Sequence, residues 1–579
     1  MISFGREVLS DYESAVSREF LLTNPIGCYS SSTIIGLNTR KYHGLLVTDR
    51  VHLSKLDEEI DGVGLSTNQY RGAIYPEGYR YLESFELYPP TFIYRMDETT
   101  VRKKIFLSAG SRTIHVSYII WSKKPVVFNI TPLIAERGVH ELRFDYNLSQ
   151  EKLQNGVRVN ELTITSNIEF EEKPDIYWNF NYEWEKRRGY DFEENLYSPG
   201  KFFCRIKGEK TVDIIATLER DVDKINVEEI KKLKKIKKPT NPYEVLSLTA
   251  DSFIAPHSIL AGYHWFVESW GRDTFISLPG LLLVRKKFAH ARKIFRQYAK
   301  CMRNGIIPNI LPDRFNSADA TLWFVYSLKK YYEYTGDEEF LKEMGPCMEQ
   351  IVEKYPENKS ISMDEDGLIK VSECLTWMDT KFTPRGGKPV EVNALWLNAL
   401  SAFEELFGIE CHSAKIKKNF SKFWNGQGLF DVLEPTDSSI RPNQIFAISL
   451  PHRLLSKAKE KKILKVVKKE LLTPYGLRTL SASDKNYRGS YTGDESYHNG
   501  CVWPWLTGFY ITAHMRIYGD ADYCKAILQP LLEHLKDAGL GSISEIFDGD
   551  APHRPNGCIS QAWSVAEVLR CMHEDLELI

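Results

Sequence analysis

Phe288-Ala289-His290-Ala291-Arg292-Lys293-Ile294-Phe295-Arg296-Gln297-Tyr298 places apolar side chains at i, i+3 and i+7, the spacing of a helix with one buried stripe. Ala320-Thr321-Leu322-Trp323-Phe324-Val325-Tyr326-Ser327-Leu328, Val392-Asn393-Ala394-Leu395-Trp396-Leu397-Asn398-Ala399-Leu400 and Gln561-Ala562-Trp563-Ser564-Val565-Ala566-Glu567-Val568-Leu569-Arg570 are further helical stretches. Long loops rich in Gly, Pro, Asp and Trp separate them, and loops on a packed scaffold are where sites are usually carried. Residues 251–579 therefore read as helix–loop–helix, compatible with a barrel of paired helices or another all-helical array.

Upstream the periodicity changes to two. Arg112-Thr113-Ile114-His115-Val116-Ser117-Tyr118-Ile119-Ile120 alternates apolar and polar positions and is expected to end in a turn at Ser122-Lys123-Lys124-Pro125. Residues 126–132, 157–164 and 211–218 continue in the same style, so residues 1–224 read as a β-sandwich. Between the two parts, Ile225-Asn226-Val227-Glu228-Glu229-Ile230-Lys231-Lys232-Leu233-Lys234-Lys235-Ile236-Lys237-Lys238 reads as a solvated linker helix within a connection spanning 225–250. Its lysines lack the interleaved aromatics of a nucleic-acid surface.

At 579 residues the chain is long enough for two or more domains. A hydrophobic content of 43%, a charged content of 26% and a net charge of -2 are those of an ordinary globular protein, with no global pull toward nucleic acid or anionic membrane. Met1-Ile2-Ser3-Phe4-Gly5-Arg6-Glu7 has no apolar core of a signal peptide, and no apolar run reaches the ~18–20 residues of a membrane span. The ten cysteines form no CxxC pair and read as reduced, mostly buried thiols of a cytoplasmic protein.

Three acidic segments carry the chemistry, and two of them hold tryptophan: Ser269-Trp270-Gly271-Arg272-Asp273, Leu375-Thr376-Trp377-Met378-Asp379 and Ser542-Ile543-Ser544-Glu545-Ile546-Phe547-Asp548-Gly549-Asp550. Indole faces pack on the apolar faces of a pyranose, while carboxylates and arginine take its hydroxyls. Two more carboxyls, one protonated and one ionised, can break a glycosidic bond. Arg272 and Asp273 are candidates for holding two sugar hydroxyls with Trp270 as a wall, against the alternative of a structural ion pair at a helix start. Asp319 reads as a helix cap that supports the pocket. Asp379, beside Trp377, is expected to be partly desolvated, with a raised pKa suited to a proton donor. One of Glu545, Asp548 and Asp550 is the candidate base; their spacing does not fit an EF-hand.

Asp494-Glu495-Ser496-Tyr497-His498-Asn499-Gly500-Cys501-Val502-Trp503-Pro504-Trp505 packs polar and indole groups densely. With no second His nearby and no HExxH, Glu495, His498 and Trp503 read as sugar contacts rather than metal ligands. Gly386-Gly387-Lys388 lacks the full phosphate-loop spacing, and no GxSxG elbow occurs.

Ala261-Gly262-Tyr263-His264-Trp265-Phe266 through Trp270-Gly271-Arg272-Asp273-Thr274-Phe275-Ile276, then Thr376-Trp377-Met378-Asp379, Thr383-Pro384-Arg385, residues 542–549 and Gln561-Ala562-Trp563-Ser564 together resemble the amylo-α-1,6-glucosidase module of glycogen debranching enzymes. Leu22-Thr23-Asn24 and Asn38-Thr39-Arg40-Lys41-Tyr42-His43-Gly44 resemble the N-terminal domain of the prokaryotic members. The resemblance implies a multidomain β + α protein, an N-terminal β-sandwich followed by an (α/α)6 barrel. It implies hydrolysis of α-1,6-linked glucose at glycogen branches, with inversion and without metal or organic cofactor. It implies Asp379 as acid, Glu545 as base and Arg272 with Asp273 on the terminal glucose; Trp377, Trp503 and Trp563 join the expected substrate contacts. Partners expected are glycogen or another branched α-glucan, with neither nucleic acid nor membrane. The rival readings are an exo-α-1,4-glucosidase of glucoamylase type and a non-catalytic glycogen-binding protein. Arg40 and His43 read as structural.

Overall fold

The computed structural model describes residues 2–220 and 238–578. The chain separates into two compact units, one of Met1–Asn241 with Lys536–Gly541, the other of Pro242–Leu535 with Ser542–Ile579. The charged run read as a linker helix lies outside the described residues as far as 237. Among the described residues no helix is long and apolar enough to cross a membrane.

The first unit is an antiparallel β-sheet domain. Its main strands are β1 (Arg50–Ile60), β2 (Thr99–Leu107), β3 (Thr113–Gly138), β4 (Gly156–Val159), β5 (Leu162–Ser166), β6 (Glu169–Asn181) and β7 (Glu193–Thr217). β3 and β7 run side by side from Thr113 opposite Thr217 to Ile134 opposite Tyr197. The first half of β3 is flanked by β2 and its second half by β1, so this one strand changes neighbours along its length. Ile114, Val116, Tyr118 and Ile120 share one face and are fully buried, as their alternation requires.

Two strand boundaries differ from the sequence reading. The turn expected at 122–125 is instead a bulge within β3, where the register to β7 shifts between Ser122 and Val126 and Lys123, Lys124 and Pro125 are exposed. Proline carries no ladder hydrogen, and a bulge accommodates it without ending the strand. The strand expected over 157–164 is two, β4 and β5, with Val159 opposite Leu162 across a two-residue turn. Asn160 turns the chain at φ 51, a conformation asparagine tolerates. Arg40 and His43 both converge on buried Glu19, with Nε 2.9 Å and Nε2 2.7 Å from its carboxylate.

The second unit is helical: α1 (Pro242–Asp251), α2 (Gly271–Leu278), α3 (Phe288–Cys301), α4 (Ala320–Thr335), α5 (Glu338–Lys354), α6 (Val390–Phe407), α7 (Ser413–Asn419), α8 (Phe446–Ser449), α9 (Lys457–Glu470), α10 (Asp494–Tyr497), α11 (Leu506–Tyr518), α12 (Ala521–Glu533) and α13 (Ala562–Glu574). It starts at Pro242, ahead of the expected 251, because Val245, Leu246 and Ala250 of α1 are buried and α1 packs on α13.

Two kinds of helix alternate. In α2 every position is buried, and α4, α6, α8, α11 and α13 are apolar around most of their circumference. α2 packs on α4, α4 on α6, α6 on α8, α8 on α11, α11 on α13, and α13 returns to α2. By contrast α3 buries only Ala291, Ile294, Phe295 and Tyr298, a single stripe, and belongs to the outer set. Close approach near the end of α2 needs glycine: a Cβ on Gly280 would stand 1.8 Å from the carbonyl oxygen of Ala566 in α13.

Candidate active site

The candidate side chains gather where the inner helices begin. Trp270 is the N-cap of α2, with Arg272 and Asp273 in its first turn. Asp319 is the N-cap of α4, Trp505 that of α11, and Trp563 stands in the first turn of α13. Asp379 lies in the loop before α6, and Glu545 in the extended segment between α12 and α13.

Arg272 is the electrostatic centre. Its Nε donates to both oxygens of Asp319 at 2.8 and 3.0 Å, one terminal nitrogen donates to Asp379 Oδ2 at 3.2 Å, and the other reaches Ser317 Oγ at 3.2 Å and the Leu375 carbonyl at 3.4 Å. Asp319 stands at the cap position that its sequence predicts, yet its side chain makes no capping bond; Ser317 Oγ accepts from the Ala320 N–H at 3.1 Å in its place. The reason is charge: a buried guanidinium needs a buried carboxylate, and Asp319 supplies it. Arg272 thus spends its donors on protein groups, Asp379 among them.

The carboxyl of Asp379 is 38% exposed, open on one side. Burial of the rest pushes its pKa up, but the neighbouring His498 and the Arg272 charge outweigh that and hold it below the ordinary carboxylate value. The raised pKa expected from the neighbouring indole is therefore not what the structure gives. Two cationic or donor groups at 3.2 and 3.8 Å outcompete partial desolvation.

Glu545 is buried, with Oε1 accepting from the Tyr497 hydroxyl and Oε2 from the Cys558 N–H at 2.7 Å. Asp548 is the less enclosed acid; its Oδ1 accepts from the Tyr491 N–H at 2.8 Å and from Asn556 Nδ2 at 3.0 Å, and burial raises its pKa.

Asp273 lies within the fields of both Glu545 and Asp379. Burial, then those two negative neighbours, push its pKa to about 7 against the pull of Arg272. An acid whose native pKa is raised contributes stability that is fully present below its unfolded value near 4 and is lost as pH rises through 7. Asp273→Asn is therefore expected to gain thermal midpoint on the native protein progressively from pH 4 to pH 7. Melts of both proteins across that range check this, and a difference independent of pH would mean that Asp273 is ionised throughout.

Of the indoles expected to contact substrate, Trp377, Trp503 and Trp563 turn their faces inward, together with Trp505. Trp377, Trp503, Trp505 and Trp563 are buried and spend their faces on one another and on His498. Trp503 stacks on His498 at 5.3 Å, and Trp505 on Trp563 at 5.1 Å. They form an aromatic wall behind the carboxylates, while half-buried Trp270 retains open surface. Glu495 stands apart from this group, exposed and paired with Arg488 at 3.0 Å.

Several supporting residues carried no assigned role in the sequence reading. Buried Arg385 bonds Asp431 at 2.6 Å, Glu391 at 2.7 Å and Thr376 at 3.0 Å; Asn443 links Asp431 to the Trp377 indole at 2.7 Å on each side. Together they lock the loop that presents Asp379. Arg385 follows Pro384 in a quoted motif, whereas Asp431 and Asn443 lie some fifty residues downstream with no local signal. Tyr497 was visible only as one aromatic in a dense run.

This geometry can be set beside known proteins. The family model described as amylo-alpha-1,6-glucosidase matches residues 243–570, more than half of the chain and every site residue above. The chain belongs to the amylo-alpha-1,6-glucosidase family. A second model, described as glycogen debranching enzyme N terminal, matches residues 18–213. The chain is similar to the glycogen debranching enzyme of Saccharomyces cerevisiae, 24% identical over 449 residues that make up 53% of this chain and 29% of that protein. It thus spans under a third of that relative's length. Its fold resembles that of a bacterial glucoamylase solved with acarbose, at a TM-score of 0.59 and 13% identity over 97% of this chain and 92% of that one. The match to the first model runs through both the Arg272 and the Glu545 segments.

Proposed function

We propose that this chain is a glycoside hydrolase that removes α-1,6-linked glucose at branch points of glycogen or a related α-glucan, by inverting acid/base catalysis. The observation that carries the reading is the pair of differently held carboxyls, Asp379 open and Glu545 buried, in one aromatic-walled group within the family's matched span. Family membership supports the α-1,6 linkage. We read the closed succession of six buried helices and their outer partners as an (α/α)6 barrel, and the first unit as a β-sandwich domain that accompanies it.

In this mechanism Asp379 protonates the glycosidic oxygen, and Glu545 takes a proton from the water that attacks the anomeric carbon from the opposite face. Inversion needs their carboxyls about 6.5–9.5 Å apart, leaving room for that water. A bound glucosyl unit would cover the open side of Asp379 and add desolvation, raising its pKa toward that of a donor. Asp273, with Trp270 beside it, is assigned to the hydroxyls of the terminal glucose.

Proton NMR of the purified protein with a maltooligosaccharide bearing one α-1,6-linked glucose tests the reading. Initial release of β-glucose from the branch, with the linear chain untouched, is the expected result. Release from the linear chain would make the protein a glucoamylase-type exo-α-1,4-glucosidase, and no glucose from either would leave a binding role.

A further inference from the structure

We propose that the adjacent residues Tyr497 and His498 form a single positioning element that ties the two catalytic carboxyls together, Tyr497 holding Glu545 and His498 standing against Asp379. The proposal rests on the reading of Asp379 as acid and Glu545 as base.

Tyr497 ends the short helix α10, and its hydroxyl donates to Glu545 Oε1. With the Cys558 N–H on Oε2 at 2.7 Å, both oxygens are held and the plane of the carboxylate is set. The fit is tight on the second side, because a Cβ on Gly557, itself at φ +70, would stand 2.2 Å from Oε2. Donors on a carboxylate favour its ionised form, which a base must keep. One residue on, His498 Nε2 is 3.8 Å from Asp379 Oδ1, and both ring nitrogens are buried without a hydrogen-bond partner among the described residues. Contacts of this length around a catalytic group commonly tighten when substrate is bound.

The pair cannot easily turn away. The Tyr497 carbonyl accepts from Trp503 Nε1 at 3.0 Å, and the His498 carbonyl accepts from Arg441 at 2.6 Å. The Tyr497 ring lies 4.7 Å from His498 and 4.8 Å from Trp503, which in turn stacks on His498. Because the two residues are consecutive, one stretch of pinned backbone sets the positions of both side chains, and through them the relation of acid to base. Ionisable groups facing Glu545 include Tyr497, Asp273 and Cys501; those facing Asp379 include Arg272, His498, Asp273 and Cys374.

The test is the pH–rate profile of the full chain on the branched maltooligosaccharide, for Tyr497→Phe, His498→Leu and Glu545→Gln. Tyr497→Phe is expected to lower kcat by about 10- to 100-fold, the worth of a hydrogen bond to a charged group, with KM nearly unchanged. Its acidic limb should move to higher pH, because the base has lost a donor that favours its ionised form. His498→Leu should leave that limb in place and move the basic limb to higher pH, since the acid then keeps its proton longer. A fall in kcat with both limbs unmoved in both variants would overturn the proposal and leave the pair a structural role. Should Tyr497→Phe fail to fold, the basic limb of His498→Leu still decides the acid half. Glu545→Gln separates the premise: wild-type turnover there would refute Glu545 as base, whereas loss of turnover there with unmoved limbs elsewhere refutes the coupling alone.

Discussion

Asp379→Asn is expected to lower kcat on the branched substrate by roughly 10^2- to 10^4-fold while KM changes little. Asparagine is nearly isosteric with aspartate and can still accept from Arg272, which reaches Oδ2 at 3.2 Å, so the loop keeps its anchor. What it cannot do is deliver a proton to the departing glycosidic oxygen. The loss should therefore fall on the chemical step and shrink with a substrate whose leaving group needs no protonation, such as a glucosyl fluoride. A comparison of the two substrates checks this; equal losses on both would place Asp379 in binding, and wild-type turnover on the branched chain would move the acid elsewhere.

The second large effect concerns folding. Arg272→Met is expected to destabilise the protein by about 3–5 kcal/mol, because it leaves the buried Asp319 carboxylate without the guanidinium from which both its oxygens accept. Arg272 and Asp319 are 4% and 1% exposed, so water cannot replace the lost pairing. Adding Asp319→Asn should recover much of the loss by removing the stranded charge. Urea unfolding of the single and double variants measures both steps, and a double variant no more stable than Arg272→Met would show that the cost is one of packing. The same substitution alters the acid response. Asp379, held below its ordinary value, contributes stability that is present above the unfolded pKa near 4 and is lost as pH falls through its lowered native value. Without Arg272 that acid-labile contribution should diminish.

The two substitutions probe different links of one arrangement. Arg272 is spent on Asp319, Ser317 and Asp379, so its removal acts on the scaffold first and on the chemistry through it. Asp379 is held by that scaffold but faces an open side, so under the proposed mechanism its removal acts on the chemistry. This division follows from burial: a charge cut off from solvent must be satisfied within the protein, whereas one at a pocket mouth is available to substrate.

From sequence alone the change from period two to period 3.6, the position of the helices carrying Phe295, Trp323, Leu397 and Val568, and the three acidic segments were all legible. Periodicity and residue chemistry are local properties, and so is the motif order that matches the family. The bulge at Ser122–Val126 and the turn at Asn160 were not legible, because a strand's continuity depends on which neighbour pairs with it. Nor was the lowered pKa of Asp379, which is set by Arg272 and His498, respectively 107 residues before it and 119 after it in the chain. The sequence determined which groups are present. Only the tertiary structure decided that Asp319 serves Arg272 rather than a helix end, that the indoles face one another, and that Tyr497 holds Glu545, since each depends on distances between segments that no local pattern encodes.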